Sequence, residues 1–265
     1  MKHQGNIIKM KSNLAEKVEY ALPVGDELVA LNEFINQKIV LTYLHQINCI
    51  ACGKKTQKSF GQGFCYKCFM EAPEASECIL HPDTCKAHLG ISRDQEWANN
   101  HCLTPHVVYL AVSSNLKVGI TRKTQIPTRW IDQGASKAII LAETPNRHIA
   151  GTIEKFLMQY YADKTNWQAM LKGKTQETDL LFEKEKACNY LPKELKQYCI
   201  ADNTVTEIDF PVEQFPTKIS SLSFDKSEKV EGTLTGIKGQ YLILDNYNVI
   251  NIRKHNGYKI EIETP

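Results

Sequence analysis

The strongest constraint on the fold is a pair of Cys-x-x-Cys motifs in the segment CIACGKKTQKSFGQGFCYKC. The motifs are Cys49 with Cys52 and Cys65 with Cys68, and twelve residues separate them. Residues 47–102 have too little continuous apolar sequence to form a hydrophobic core. Two such turns, brought together by a hairpin, can surround one Zn(II) with four thiolates. The spacing therefore predicts a structural zinc ribbon, with no open coordination position and with the metal stabilising the segment.

Two alternatives for these cysteines depend on the compartment. No apolar run approaches the roughly 20 residues that cross a bilayer, which predicts no membrane association. The N-terminal sequence MKHQGNIIKMK lacks the apolar core of a signal peptide, so we expect a cytoplasmic protein. The first alternative is a pair of disulfides, which are disfavoured in the cytoplasm. The second is a redox dithiol, which would need only one Cys-x-x-Cys motif rather than two.

A second zinc site is predicted in the next segment, CILHPDTCKAH. Its candidate ligands are Cys78, His81, Cys85 and His88. Further candidates follow at His101, Cys102 and His106. No single spacing pattern selects among them, and the alternative is a set of small buried cysteines and hydrogen-bonded histidines. Cys188 and Cys199 stand alone in a helical stretch and are expected in the core.

The remaining sequence alternates short strands and helices, which predicts an α+β fold. Strands are expected at 107–112, 116–121 and 138–143, with helices at 127–134 and 146–162, in the order β-β-α-β-α. Small antiparallel β elements are expected at both ends, the C-terminal one resembling a small barrel. The predicted parts are 1–46 (N-terminal β element), 47–105 (zinc ribbon and Cys/His-rich segment), 106–175 (central domain), 176–206 (helical linker) and 207–265 (C-terminal β element).

Local charge is more informative than the formal net charge of +2. Residues 47–69 contain four lysines and no acid, at positions 54, 55, 58 and 67. Residues 103–131 also lack acids and carry Lys117, Arg122, Lys123 and Arg129. Two such segments indicate a phosphate-bearing partner. The alternative is two solvated faces that are balanced by acids elsewhere.

The central sequence resembles an uncharacterised bacterial zinc-ribbon family that is known only as a domain of unknown function. The likeness covers roughly residues 45–175 and includes the cysteine pairs, the run VVYLAVSSNLKVGITRKTQIPTRWIDQGA and the later run DKTNWQAMLKG. In that family a further cysteine tends to occur near position 92, where this chain has Ser92.

Residues 107–167 also resemble the GIY-YIG nuclease superfamily, particularly a viral branch in which the second tyrosine motif is written Lys-Ile-Gly. The matching positions, in chain order, are Tyr109, Gly119, Arg129, Glu154 and Asn166. The second motif tyrosine is replaced by Lys117. The resemblance implies a GIY-YIG-like domain with an inserted zinc ribbon and flanking β elements.

The resemblance also implies chemistry for these residues. Tyr109 would act as the base, Glu154 would hold one Mg(II) or Mn(II), and Arg129 would face the phosphate. Lys117, Arg122 and Lys123 would help to bind the substrate phosphates. Taken singly, Tyr109 is also a normal packing residue of a half-buried strand, and Arg129 could pair with a nearby acid.

Three functions follow as hypotheses. The first is a metal-dependent phosphodiester hydrolase that acts on DNA or RNA. The second is a nucleic-acid-binding module that keeps the fold without turnover. The third is a zinc-stabilised protein-interaction scaffold, which would leave the basic segments without a phosphate partner. The sequence does not indicate an oligomeric state.

Overall fold

The computed structural model describes all residues, 1–265, and has a mixed α+β fold. The strands in chain order are β1 (Lys2–Asn6), β2 (Lys11–Asn13), β3 (Glu19–Val24), β4 (Glu27–Ala30), β5 (Lys38–Asn48), β6 (Lys55–Thr56), β7 (His106–Val112), β8 (Leu116–Arg122), β9 (Lys137–Thr144), β10 (Val205–Glu207), β11 (Ser220–Leu222), β12 (Lys229–Lys238), β13 (Tyr241–Leu244), β14 (Asn248–Asn251) and β15 (Tyr258–Glu263). The α-helices are α1 (Tyr66–Glu71), α2 (Gln95–His101), α3 (Thr128–Asp132), α4 (Arg147–Leu157), α5 (Trp167–Leu171), α6 (Leu180–Tyr190) and α7 (Lys193–Lys196).

The chain forms two compact units. The terminal unit comprises Met1–Met70, Leu171–Gly173 and Asp209–Pro265. The central unit comprises Glu71–Met170 and Lys174–Ile208. None of the helices is both long enough and apolar enough to span a bilayer.

The terminal unit is built on one large sheet with the strand order β1-β15-β5-β12-β13-β14-β11, and β6 pairs with β5. The sequence predicted separate β elements at the two ends of the chain, but strands from both ends alternate in this sheet. β5 pairs antiparallel with both β12 and β15. The C-terminal β element was expected to be antiparallel throughout, but β11 and β14 pair in parallel.

The glutamine Gln240 fixes the N-terminal segment to this sheet. Its amide oxygen accepts a hydrogen bond from the Met10 backbone N–H at 2.8 Å, and its amide nitrogen donates to the Met10 carbonyl at 3.1 Å. Gln240 is 2% exposed and Met10 is fully buried. Both backbone groups of Met10 therefore depend on one side chain in a site without access to water.

The central unit has a four-stranded sheet with the order β10-β9-β7-β8. The predicted β-β-α-β-α order is present in β7, β8, α3, β9 and α4. Every residue of β7 is buried, and its apolar residues pack with those of β9 and α4, such as Leu110, Leu141 and Ile153. β7 reads as a continuous apolar run because side chains on both of its faces are buried.

Helix α4 ends at Leu157, five residues before the predicted end at residue 162. The chain then turns so that Ala162 forms a bridge with Lys117, and the Ala162 carbonyl accepts a hydrogen bond from the Val118 N–H at 3.0 Å. Residues 158–162 therefore do not continue α4, because Ala162 pairs with β8 of the sheet instead. Cys188 and Cys199, expected as core residues, pack against the same core and are joined as a disulfide.

We expect Gln240→Leu to lower the free energy of unfolding by about 2 to 4 kcal/mol, because it leaves the Met10 N–H and carbonyl buried without partners. Chemical denaturation monitored by circular dichroism measures the change. The matched control is Gln37→Leu, since Gln37 is exposed in the same unit, and it should change stability by no more than about 0.5 kcal/mol. Equal stabilities for the two variants would contradict this role of Gln240.

Candidate active site and candidate zinc sites

The hairpin formed by β7 and β8 places Tyr109 and Lys117 on one face of the central sheet. Tyr109 lies opposite Gly119, and Ala111 lies opposite Lys117, so all four side-chain positions share that face. A Cβ atom at Gly119 would lie 2.7 Å from the Tyr109 hydroxyl oxygen. Glycine is therefore required at this position for the tyrosine ring to lie across the neighbouring strand.

Tyr109 is fully buried, and its hydroxyl has defined partners. It donates a hydrogen bond to the Gln133 side-chain oxygen at 2.8 Å. The ring also makes an edge contact with Trp130 of α3, with centroids 6.0 Å apart. Burial raises the pKa of Tyr109, although the nearby positive charge of Arg129 opposes the rise. The phenol therefore stays protonated at neutral pH.

Lys117 is also buried, with 3% of its surface exposed. Burial lowers the pKa of its ammonium group to about 7, and the nearby charge of Arg129 lowers it further, while Glu154 and Asp163 oppose the shift. A lysine with this pKa exists partly as the neutral amine at neutral pH. It can therefore accept a proton, which an exposed lysine does not do in this range.

Glu154 of α4 lies in the same group of charges. Burial raises the pKa of its carboxyl group to about 7, an effect opposed by Arg129 and Lys117 and supported by Asp163. We define the polar cluster as Tyr109, Lys117, Arg129, Gln133 and Glu154. Buried ionisable groups with mutually shifted pKa values are more common at functional sites than elsewhere.

The structure brings together four of the residues singled out in the sequence: Tyr109, Lys117, Arg129 and Glu154. Gln133 was missed, although it immediately follows α3, four residues after Arg129, so that the two lie on one side of this helical turn. Asp163 was also missed, because it reaches the cluster only after the chain turns at the end of α4.

The other predicted site residues have different surroundings. The Asn166 side-chain oxygen accepts a hydrogen bond from the Ala169 N–H at 3.1 Å, so it caps α5. Lys123 pairs with Glu143 at 2.8 Å. Arg122 lies in the electrostatic field of Arg147 and Cys102, and burial lowers its pKa. Asn166 and Lys123 thus make local structural contacts, and Arg122 is half-buried beside the charge of Arg147.

The first cysteine group assembles in the terminal unit as predicted. The four sulfur atoms of Cys49, Cys52, Cys65 and Cys68 lie within 4.8 Å of one another. The turn after Cys49 is closed by Gly53, which has a φ of 71° and donates its N–H to the Cys49 carbonyl at 2.8 Å. Burial opposes ionisation of Cys49, but backbone N–H groups of the two turns lower its pKa to about 6. Four converging sulfurs of this kind suit tetrahedral Zn(II).

The second cysteine group, in the central unit, differs from the predicted set. Cys78, Cys85 and Cys102 have sulfur atoms within 4.8 Å of one another, but His81 and His88 are not in the group. His81 is exposed, and the ring of His88 stacks on His148 with centroids 4.4 Å apart. The end of α2 brings Cys102 to the two earlier cysteines, a contact that local spacing does not encode.

Packing against α4 holds this second group in place. Gly151 of α4 lets the backbone of the turn Pro82–Thr84 approach closely, since a Cβ atom there would lie 2.3 Å from the Asp83 nitrogen. His148, one turn earlier on α4, is hydrogen-bonded through Nδ1 to the Asp83 carbonyl at 3.0 Å. Cys85 immediately follows this turn and is thereby positioned.

The fold and sites define an α+β protein with two cysteine groups that can hold zinc. The chain belongs to the family described as a protein of unknown function (DUF2797), whose family model matches residues 36–260. The matched range contains both cysteine groups and the whole polar cluster. Neither the curated proteins nor the solved structures provide a match to this chain. Membership of an uncharacterised family is thus confirmed, and the GIY-YIG likeness stays a prediction.

For the first cysteine group, we expect Cys65→Ala to remove one equivalent of zinc per chain and to destabilise the terminal unit by several kcal/mol. Metal analysis of freshly prepared protein, together with thermal unfolding, measures both effects. Cys188→Ala is the control, since Cys188 belongs to neither cysteine group and should leave the zinc content unchanged. Wild-type protein without bound zinc would contradict the site.

We expect Glu154 to make stability depend on pH. Its pKa is raised from 4.5 to about 7 by folding, so the folded state binds the proton more tightly. Its contribution to stability is therefore greatest below about pH 4.5 and is lost as the pH rises through about 7. Unfolding in metal-free buffer should show wild type losing stability relative to Glu154→Gln across this range.

The matched control is Glu185→Gln, which alters an exposed glutamate on α6 in the same unit. Its stability should follow that of wild type at every pH. If wild type and Glu154→Gln gave parallel pH profiles, the carboxyl group of Glu154 would not be perturbed as described.

Proposed function

We propose that this protein is a nucleic-acid-processing phosphodiester hydrolase that uses Mg(II) or Mn(II), with a structural zinc ribbon. The observation that supports it is the convergence of Lys117, Arg129 and Glu154 on the buried Tyr109. Hydrolysis of a phosphodiester needs a group that takes a proton from water and positive charge for the developing phosphorane. The polar cluster contains both.

Glu154 and the nearby Asp163 suit a divalent metal ion, because both are carboxylates and both keep some exposure to solvent. Magnesium is commonly held by one or two carboxylates and takes its other ligands from water and substrate phosphates. When bound, the ion would neutralise non-bridging phosphate oxygens. It would also favour the ionised form of Glu154, whose pKa is otherwise raised to about 7.

Lys117 is the better candidate for the base than Tyr109. The Tyr109 hydroxyl is fully buried, donates a hydrogen bond to the Gln133 side-chain oxygen, and has a raised pKa. Lys117 has a pKa lowered to about 7, so its neutral amine can accept a proton from water at neutral pH. Tyr109 then orients Arg129 and Gln133, and Arg129 faces the phosphate.

The surface of the zinc ribbon supports a nucleic-acid partner. Lysines 54, 55, 58 and 67 are all exposed, as are the aromatic side chains of Tyr66 and Phe69. Lysines bind the phosphate backbone and release counterions, and aromatic rings stack on unpaired bases. This combination suits a nucleic acid better than a protein partner.

The test is cleavage of labelled DNA and RNA in the presence of Mg(II) or Mn(II). Glu154→Gln and Lys117→Met should each reduce the cleavage rate by on the order of 10²- to 10³-fold. Lys117→Met should also raise the free energy of unfolding by about 1 to 3 kcal/mol, because it removes a buried charge. Loss of activity with a gain in stability separates a catalytic defect from misfolding.

The matched controls are Glu185→Gln and Lys155→Met, which change exposed residues of the same types in the same unit. Both should cleave at the wild-type rate. Cleavage that persists equally in Glu154→Gln and Lys117→Met would point to a contaminating nuclease and overturn the proposal.

The complete burial of the Tyr109 hydroxyl favours a second candidate function, which is binding of nucleic acid without cleavage. In that case fluorescence anisotropy would show salt-dependent binding without hydrolysis. Alanine substitution of the four ribbon lysines would weaken binding, and Glu154→Gln would leave it unchanged.

A further inference from the structure

The three cysteines of the second group make up three of the seven residues in the small core of their segment. The buried cluster in residues 78–103 consists of Cys85, Ala87, Ala98 and Cys102, with Cys78, Trp97 and Leu103 packed against it. The segment from 72 to 90 is otherwise a series of 3₁₀ turns. So small an apolar cluster contributes little stabilisation, and a bound metal would supply what is missing.

A buried arginine beside the group provides a charge argument. Arg147 is 8% exposed, and its guanidinium donates to the carbonyls of Cys78 at 3.3 Å and His101 at 3.0 Å. Its backbone N–H also donates to the Cys102 carbonyl at 2.8 Å. The Nε atom of Arg147 is buried without a hydrogen-bond partner. Because carbonyl groups do not neutralise a buried cation, this site favours a negative charge nearby.

Three thiolates around one Zn(II) carry a net charge of minus one, which offsets the Arg147 guanidinium. Three neutral thiols carry no charge and leave the guanidinium with only backbone carbonyls and the face of the Trp97 ring, 5.9 Å away, as partners. The position of Arg147 therefore favours the metal-bound state over a simple cluster of reduced cysteines. The first cysteine group differs because its four sulfurs can fill all four positions around a zinc ion.

The fourth coordination position of this second group faces a cavity. Cys78, Cys85 and Cys102 all line a cavity of about 640 Å³, a volume in the range of small-molecule sites. No histidine, aspartate, glutamate or fourth cysteine lies in the group. Zinc with three protein ligands keeps an open position for water or another ligand, whereas zinc with four is closed.

We infer that Cys78, Cys85 and Cys102 form a zinc site that coordinates a small organic thiol from this cavity, in place of a water molecule. A thiolate gives the zinc four sulfur ligands, which suit its softness. The cavity wall carries two basic residues, Lys86 and Arg93, and two acidic residues, Glu77 and Asp94, and it offers Trp97 and Ile91 for apolar contact with the organic part of the thiol. Binding displaces the water, forms a zinc–sulfur bond and releases the thiol proton to solvent. This site is independent of the proposed hydrolase.

The test uses the full-length protein with Co(II) in place of zinc, because the visible spectrum of Co(II) reports its ligands. A phosphine reductant keeps the Cys188–Cys199 pair reduced throughout, so that thiol exchange there does not contribute. Titration with 2-mercaptoethanol should shift the ligand-field bands in a saturable manner. The matched compound 2-(methylthio)ethanol cannot ionise at sulfur and should cause no shift.

Two variants assign the response to this site. Cys102→Ala should lose one metal equivalent and the thiol response. Ser92→Cys places a fourth sulfur on the cavity wall, and it should keep the metal while losing the response. The proposal is overturned if wild type shows no thiol-dependent shift, if both compounds act alike, or if the shift survives both substitutions. The proposal is supported if 2-mercaptoethanol shifts the Co(II) spectrum of the wild type and shifts neither variant.

Discussion

The close contact between Tyr109 and Gly119 determines the arrangement of the polar cluster. Because Gly119 has no side chain, the tyrosine ring can lie across β8 and reach Gln133 beyond it. That hydrogen bond and the neighbouring Arg129 fix α3 against the sheet. Lys117, two residues before Gly119 on the same strand face, lies close enough to Arg129 and Glu154 for their charges to act on its ammonium group. One missing side chain thus determines where three charged groups meet.

Such a cluster is costly for the fold. An ionised lysine and an ionised glutamate lose hydration when they are buried, and here neither has the close carboxylate or guanidinium pairing that fully compensates. This loss of hydration is why the pKa of Lys117 falls to about 7 and the pKa of Glu154 rises to about 7. A core of apolar residues would be more stable in the same position. Under the proposed function, these groups would supply a proton acceptor and a carboxylate near neutral pH.

The sequence predicted the features that depend on short spacing. The first cysteine group and the β7–β8 hairpin both arise within about 20 residues, where turn geometry and alternation are informative. The composition of the second cysteine group was predicted only in part, since Cys102 joins Cys78 and Cys85 through the packing of α2 and α4. The early end of α4 also has a tertiary cause, because Ala162 pairs with Lys117. Local periodicity cannot anticipate either contact.

The interleaving of both chain ends in one sheet has a consequence for biosynthesis. β5 emerges early from the ribosome, but its partners β12 and β15 are made near the end of translation. Almost all of the central unit is contiguous in sequence and can finish folding in the interval. During that time β5 presents unpaired backbone edges, and side chains that are later buried, such as Ile39 and Leu41, to solvent or to a chaperone. The nascent chain is therefore most vulnerable to aggregation in a strand whose apolar residues, such as Ile39 and Leu41, are buried only after its partner strands have been made.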